Sequence, residues 1–367
     1  MSAALTAGPS LEPAHHRVGR FTEILTDPRR DGRTIPVDVW YPAAPDCVGE
    51  LSFYELLPGI GFTAAALQGV ALLEGTHPLV LWSHGRTATR SSYALLCEAL
   101  AARGFMVVAP EHAGDALGDW LVGAAVDDAT NEANRIADAH FVLDTALHGG
   151  GPLASVAARV DPDRVAAAGH SYGGFTALSG GSGPTRHPRV RAVAGHQAFT
   201  RSMPKQVFAD ISVPVMLVVS ALDATTPPAT DADRAWAKLG SADAWRVDVE
   251  RAGHQGCSDV GLYVELAPHV EGLPDLVRAF IASMGADVTG TVGDPWRETV
   301  TQQVAVLGAF LTGALGVDVD GAAAEFAAVG EAPGVTVSTR GGFPRVAEQR
   351  VGRVRSGGSA PRGRRSR

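Results

Sequence analysis

The stretch at residues 164–174, RVAAAGHSYGG, constrains this chain more than any other. A short run of apolar and small residues ends in Gly169-His170-Ser171-Tyr172-Gly173, and a helix-permissive segment at 175–180 follows. G-x-S-x-G between a strand and a helix makes a sharp turn. It holds the serine in a strained backbone conformation, with its Oγ exposed at the C-terminal edge of a sheet. Glycines two residues to either side let strand and helix pass closer than a Cβ allows. With 43 glycines in the chain, the bare motif carries little weight. The flanking strand and helix supply it, and they single out Ser171 as a nucleophile rather than a serine in a structural turn.

The rest of the chain is read around that turn. Residues 21–26 and 35–41 look like strands joined by Asp27-Pro28-Arg29-Arg30-Asp31-Gly32, where Pro and Gly fix the bend. So short a connection predicts an antiparallel hairpin at the front of a sheet. Residues 42–77 are punctuated by Gly and Pro and read as a surface excursion able to line a pocket. Strand then alternates with helix: strand 79–83, amphipathic helix 92–103, strand 105–109, helix 131–147, strand 165–168. Strands at 190–194 and 213–220, a helix at 229–239 and a last strand at 245–249 continue the pattern. This alternation predicts an α/β fold, a mostly parallel central sheet with helices on both faces. Beyond His254 come an extra segment at 258–295, helical near 273–284, and a final helix at 298–315. The reading is therefore a flexible N-terminus (1–16), one catalytic domain (17–316) and a C-terminal extension (317–367). Within the domain, 42–77, 113–130 and 258–295 are expected pocket or lid excursions.

Charge is unevenly spread. From residue 340 onward there are nine Arg and one acid, Glu348, while the rest of the chain carries 22 basic and 38 acidic side chains, a balance of −16. An acidic body does not invite nucleic acid, and the basic tail has too few apolar residues to fold. Three scattered cysteines, Cys47, Cys97 and Cys257, form no CxxC pair and read as free thiols, not a disulfide framework or zinc site. No apolar run is long enough to span a bilayer, and no basic-then-apolar leader is evident at the N-terminus. A cytoplasmic location is expected.

A serine hydroxyl is a poor nucleophile until a base takes its proton, and the base needs a third group to fix its tautomer. The buried run 213–220 leads to Asp223, and the strand 245–249 leads to Ala252-Gly253-His254-Gln255-Gly256. Asp223 is read as the acid and His254 as the base, in the chain order Ser, acid, His. The rival acids are Asp259, five residues after the histidine and too near to come from a separate strand end, and Asp210. The oxyanion needs two N–H donors: the backbone of Tyr172, and that of Arg86 in the loop Leu81-Trp82-Ser83-His84-Gly85-Arg86. The Arg86 side chain either faces solvent or favours acidic substrates. His170 reads as packing, and His112 and His196, at strand ends, as possible substrate contacts. No histidine pair has metal-site spacing.

These motifs resemble the α/β-hydrolase superfamily, and within it the platelet-activating-factor acetylhydrolase-like and dienelactone hydrolase-like bacterial serine esterases. The carrying residues are TDPRRDGRTIPVDVWYPA, LWSHG, FMVVAPEHAGD, residues 134–143, GHSYGG and GHQGCSD, spread over roughly 20–316. The resemblance implies hydrolysis of a small-molecule carboxylic ester through an acyl-serine, with no cofactor. Two departures stand out. The acetylhydrolases carry their acid where this chain reads Ala194-Gly195-His196-Gln197, and dienelactone hydrolases use a cysteine where this chain has Ser171. The first returns the acid role to Asp223. A thioesterase or amidase would use the same triad, and a non-catalytic binding protein on a hydrolase scaffold remains the reading from another class.

Overall fold

The computed structural model describes residues 3–6, 16–57, 60–149, 151–289 and 296–343. Its strands are β1 (Ala3–Thr6), β2 (Arg17–Asp27), β3 (Arg33–Ala43), β4 (Leu51–Leu57), β5 (Ile60–Gln68) and β6 (His77–Ser83). They continue with β7 (Met106–Pro110), β8 (Val160–His170), β9 (Val190–His196), β10 (Val215–Ser220), β11 (Ala244–Val249) and β12 (Val335–Arg340). The helices before the midpoint are α1 (Ala94–Ala102), α2 (Leu117–Leu121), α3 (Asp128–His148), α4 (Ala154–Ala157) and α5 (Tyr172–Gly180). After it come α6 (Lys205–Ala209), α7 (Ala232–Trp236), α8 (Val260–Leu266), α9 (Asp275–Met284), α10 (Ala286–Thr289), α11 (Trp296–Ala314) and α12 (Val319–Gly330).

All strands join one sheet in the order β1-β5-β2-β3-β7-β6-β8-β9-β10-β11-β12, with β4 on β5. The block from β7 to β11 is parallel throughout. Its strands are near-continuous apolar runs because both faces are covered: every residue of β6, β7 and β10 is buried. One face packs α1, α8, α9, α11 and α12. The other packs α3, α5, α6 and α7. The parallel strands β6, β8, β10 and β11 end at Ser83, His170, Ser220 and Val249, so the loops that follow them converge at one sheet edge.

The front hairpin forms as the turn chemistry predicts, β2 antiparallel to β3 over eleven residues each. Residues 42–77 correct the expectation of a surface excursion, because β4 and β5 extend the sheet, with β5 parallel to β2. The period-two burial of Ser52 and Tyr54, then Phe62, Ala64 and Ala66, was hidden among the glycines. Helix α1 is buried at all nine positions, not amphipathic. It lies between β3 and β7 on one side and α11 on the other. Its one charge, Glu98, accepts hydrogen bonds from Tyr54 and the N–H groups of Ala65 and Ala66. The helix expected at 229–239 shrinks to α7, since Asp231 turns its carboxylate to the N–H groups of Thr200 and Arg201 instead of capping it.

The C-terminal boundary also moves. The strand at 245–249 is not the last and the helix at 298–315 not the final one: α12 follows, and β12 pairs antiparallel with β11. Trp245 of β11 stacks on Phe343 at 4.6 Å and meets Phe310 and Phe326 edge-on or tilted. Residues 317–343 therefore belong to the folded body. The basic tail beyond Phe343 and most of the expected flexible N-terminus lie outside the described residues, apart from β1, which pairs with β5. Among the described residues, no helix is long and apolar enough to cross a membrane.

Candidate active site

The elbow sits where β8 meets α5. Ser171 has φ 55° and ψ −118°, a region costly for any side chain and held here by close packing on all sides. A Cβ on Gly173 would lie 1.8 Å from the Ser83 carbonyl oxygen, and one on Gly169 would lie 2.5 Å from the Gly173 backbone. The glycines thus make room for β6 and for each other. The Ser171 N–H donates to the His196 carbonyl at the end of β9, and the Phe199 N–H donates back to the Ser171 carbonyl. Ser171 is buried among these neighbours.

His254 brings Ser171 and Asp223 together. Its Nε2 lies 3.1 Å from the serine Oγ, and its Nδ1–H donates to Asp223 Oδ2 at 2.9 Å. The carboxylate has further partners. Oδ1 accepts from the N–H groups of Thr225 and Thr226 at 2.8 and 2.7 Å, and Oδ2 from the Thr226 hydroxyl at 2.6 Å. Burial alone would raise the Asp223 pKa. The bonds from His254 and Thr226 outweigh it, leaving the pKa below the ordinary value and the carboxylate ionised at neutral pH. An ionised acceptor at Nδ1 fixes the imidazole tautomer that leaves Nε2 free to take the serine proton.

The loop carrying His254 is fixed by residues far along the chain. Gly253 N–H donates to Val288 and Gln255 N–H to Asp287 at 2.6 Å, and a Cβ on Gly253 would strike the Asp287 carbonyl at 2.4 Å. Residues 287 and 288, within the segment expected to be an excursion, therefore brace this loop. His170 supplies another tie. Burial, and then the nearby His254, hold its pKa well below the usual imidazole range, so the ring is neutral. Its Nε2–H donates to the His254 carbonyl at 2.6 Å, which leaves Nδ1 to accept from the Tyr93 hydroxyl at 2.7 Å. That hydroxyl oxygen accepts from the Gly85 N–H at 3.3 Å. The reading of His170 as simple packing thus misses a link between the loop after β6 and the loop after β11.

The loop after β6 runs beside Ser171: a Cβ on Gly85 would come 3.2 Å from the Ser171 Cβ. Tyr172 opens α5, so its N–H has no acceptor within the helix. The Arg86 side chain keeps partial contact with solvent, and its charge is paired. It is held by Asp115 and Asp128 at 3.0 and 2.7 Å and lies over the Tyr172 ring. Beneath it, the fully buried Arg135 binds Asp115 and donates to the His84 carbonyl at 2.8 Å, securing the loop from α3.

The remaining candidates sit elsewhere. His112 is buried between Asp138 and Ser83, and His196 faces Gln303 and the edge of Trp82, so neither reaches the cavity. Asp259 points away from His254 and accepts from the N–H groups of Ala94 and Leu95 at the start of α1. Asp210 accepts from Gln206 on the surface. Among the described residues no cluster of His, Cys, Asp and Glu is arranged to hold a metal ion. A cavity of about 450 Å³ opens onto Ser171 and His254, walled chiefly by apolar side chains of α2, α8 and α9 with Leu56 of β4.

Residues 61–264 match the model of the PETase family, described as PET hydrolase-like, and the chain belongs to that family. It is also similar to the solved structure of a ferulic acid esterase from Streptomyces cinnamoneus. The two share 25% identity over 83% of this chain and 93% of that one, with a TM-score of 0.64. The fold is the α/β-hydrolase fold, and the chain is an α/β-hydrolase esterase.

Proposed function

We propose that this member of the PET hydrolase-like family cleaves carboxylic esters through an acyl-enzyme on Ser171. The observation that carries the proposal is the continuous line from Asp223 Oδ2 through His254 to Ser171 Oγ, at 2.9 and 3.1 Å. His254 Nε2 takes the hydroxyl proton as Oγ bonds to the ester carbonyl carbon. The tetrahedral oxyanion is received by the backbone N–H groups of Tyr172 and Arg86, each donor supplying about 2.7–4 kcal/mol of barrier lowering. The imidazolium, steadied by Asp223, then protonates the leaving alcohol. Water attacks the acyl-serine by the same route in reverse roles, releasing the acid and restoring Ser171. All atoms come from ester, water and these side chains, so no cofactor is required.

The test is hydrolysis of p-nitrophenyl esters from C2 to C12 by the wild type and by Ser171→Ala. The wild type should turn over at least part of the series, and the variant should lose about 10⁴-fold or more of kcat. Equal rates in the two proteins would remove Ser171 from the mechanism.

A further inference from the structure

We infer that the cavity beside Ser171 holds a medium-chain aliphatic group of the ester, laid along α9, in preference to an acetyl, an anionic or a phenolic group. The inference rests on the ester-hydrolase reading above and adds the substrate class to it. Helix α9 lies beyond residue 264, where the match to the family model ends, so this wall belongs to the part of the chain the family pattern does not describe.

The argument starts from what the wall offers. Helix α9 turns Leu276, Val277, Phe280, Ile281 and Met284 to the cavity, and α2 faces them with Leu117 and Leu121. Leu276 and Phe280 are 83% and 57% exposed, which places them at the rim as an apolar path leading inward. Arg278, on the same helix, donates to the carbonyls of Ala267, Val270 and Leu273, and so moors α9 at its place over the site.

The polar atoms along the cavity are largely committed elsewhere. Ser92 Oγ accepts from the Thr89 N–H, and Ser258 Oγ donates to the Gln255 carbonyl. The Tyr93 hydroxyl serves His170 and Gly85, and the Arg86 guanidinium pairs through Nε with Asp115 and through Nη2 with Asp128. An anionic group entering here would lose its water and, among the described lining residues, meet only a guanidinium already paired with two carboxylates. Gln255 stands at the reacting end beside His254. Farther along, Tyr263 of α8 lines the apolar wall, and its hydroxyl is a group that could pair with a phenol. A volume of about 450 Å³ is far more than an acetyl fills, and each methylene buried in it adds about fourfold in transition-state binding.

The experiment compares kcat/KM for p-nitrophenyl acetate, p-nitrophenyl octanoate and p-nitrophenyl ferulate in the wild type, Val277→Trp and Tyr263→Phe. The expected result is an octanoate-to-acetate ratio of about tenfold or more in the wild type, cut about tenfold by Val277→Trp, and octanoate ahead of ferulate. A wild-type ratio at or below one overturns the proposal without recourse to any variant. So does an unchanged ratio in folded Val277→Trp. Ferulate turned over faster than octanoate, with that advantage lost in Tyr263→Phe, overturns it in favour of a phenol-reading pocket. No turnover of any ester by the wild type refutes the ester-hydrolase reading itself, which separates that failure from failure of the chain-length proposal.

Discussion

Asp223 and Asp259 are both buried carboxylates near His254, and their partners give them different work. Asp223 accepts from His254 Nδ1, while Asp259 accepts from two helix N–H groups and none of its hydrogen bonds reaches His254. Replacing Asp223 by Asn puts an amide where an acceptor is needed and favours the wrong tautomer. Asp223→Asn should lower kcat about 10⁴-fold with the protein still folded, whereas Asp259→Asn should keep turnover within about tenfold. Steady-state kinetics on the two variants, with circular dichroism to check folding, decides between them; the reverse pattern would move the acid role. Ser171, Asp223 and His254 were legible because each sits in a local pattern that names it, a Gly-flanked turn or a strand end. Thr226 was not. Its hydroxyl matters only because the turn after Asp223 folds it back onto the carboxylate, and nothing in Thr225-Thr226-Pro227 announces that.

At the scale of elements, α1 shows why a burial pattern can mislead. Its sequence has one charge among small and apolar residues, and the structure buries that charge and satisfies it from β4 and β5. The helix begins where Asp259 receives the N–H groups of Ala94 and Leu95, so one carboxylate ties the segment after His254 to the start of α1. Burial pushes the Asp259 pKa up from 3.8 to about 7, against the lowering by the two backbone bonds. Between those values the folded chain keeps a proton that the unfolded chain has released, so this group's contribution to stability is complete below about pH 4 and is lost as pH rises through about 7. Urea unfolding of the wild type and Asp259→Asn at pH 5 and pH 8 measures it. The wild type should lose more stability across that interval than the variant; parallel changes in both would show that Asp259 does not titrate there. The strands β4 and β5 were missed because Gly and Pro interrupted a period-two pattern, whereas the parallel strands of the centre were long enough to declare themselves.

Across the whole molecule, the site is assembled from loops that follow four strands of one sheet and is braced by segments that precede and follow them in the chain. The front hairpin supports it indirectly, through Arg33 and Asp138 to His112 behind Ser83, and the segment after α9 supports the His254 loop through residues 287 and 288. Strand alternation made the central sheet legible. The bracing was not, because it depends on contacts between distant segments, such as Gln255 with Asp287 across α8 and α9. The extension of the sheet by β12 was also missed, since Val335-Thr336-Val337-Ser338-Thr339-Arg340 is a short run that follows an Ala- and Gly-rich stretch. All of this architecture bears on one claim, that Ser171 alone is activated by His254. A fluorophosphonate probe followed by intact-mass and peptide mass spectrometry tests it directly. One probe per chain on the peptide holding Ser171, and none on folded Ser171→Ala or His254→Ala, is the predicted result. A folded wild type that stays unlabelled, or carries the label on another residue, would contradict it.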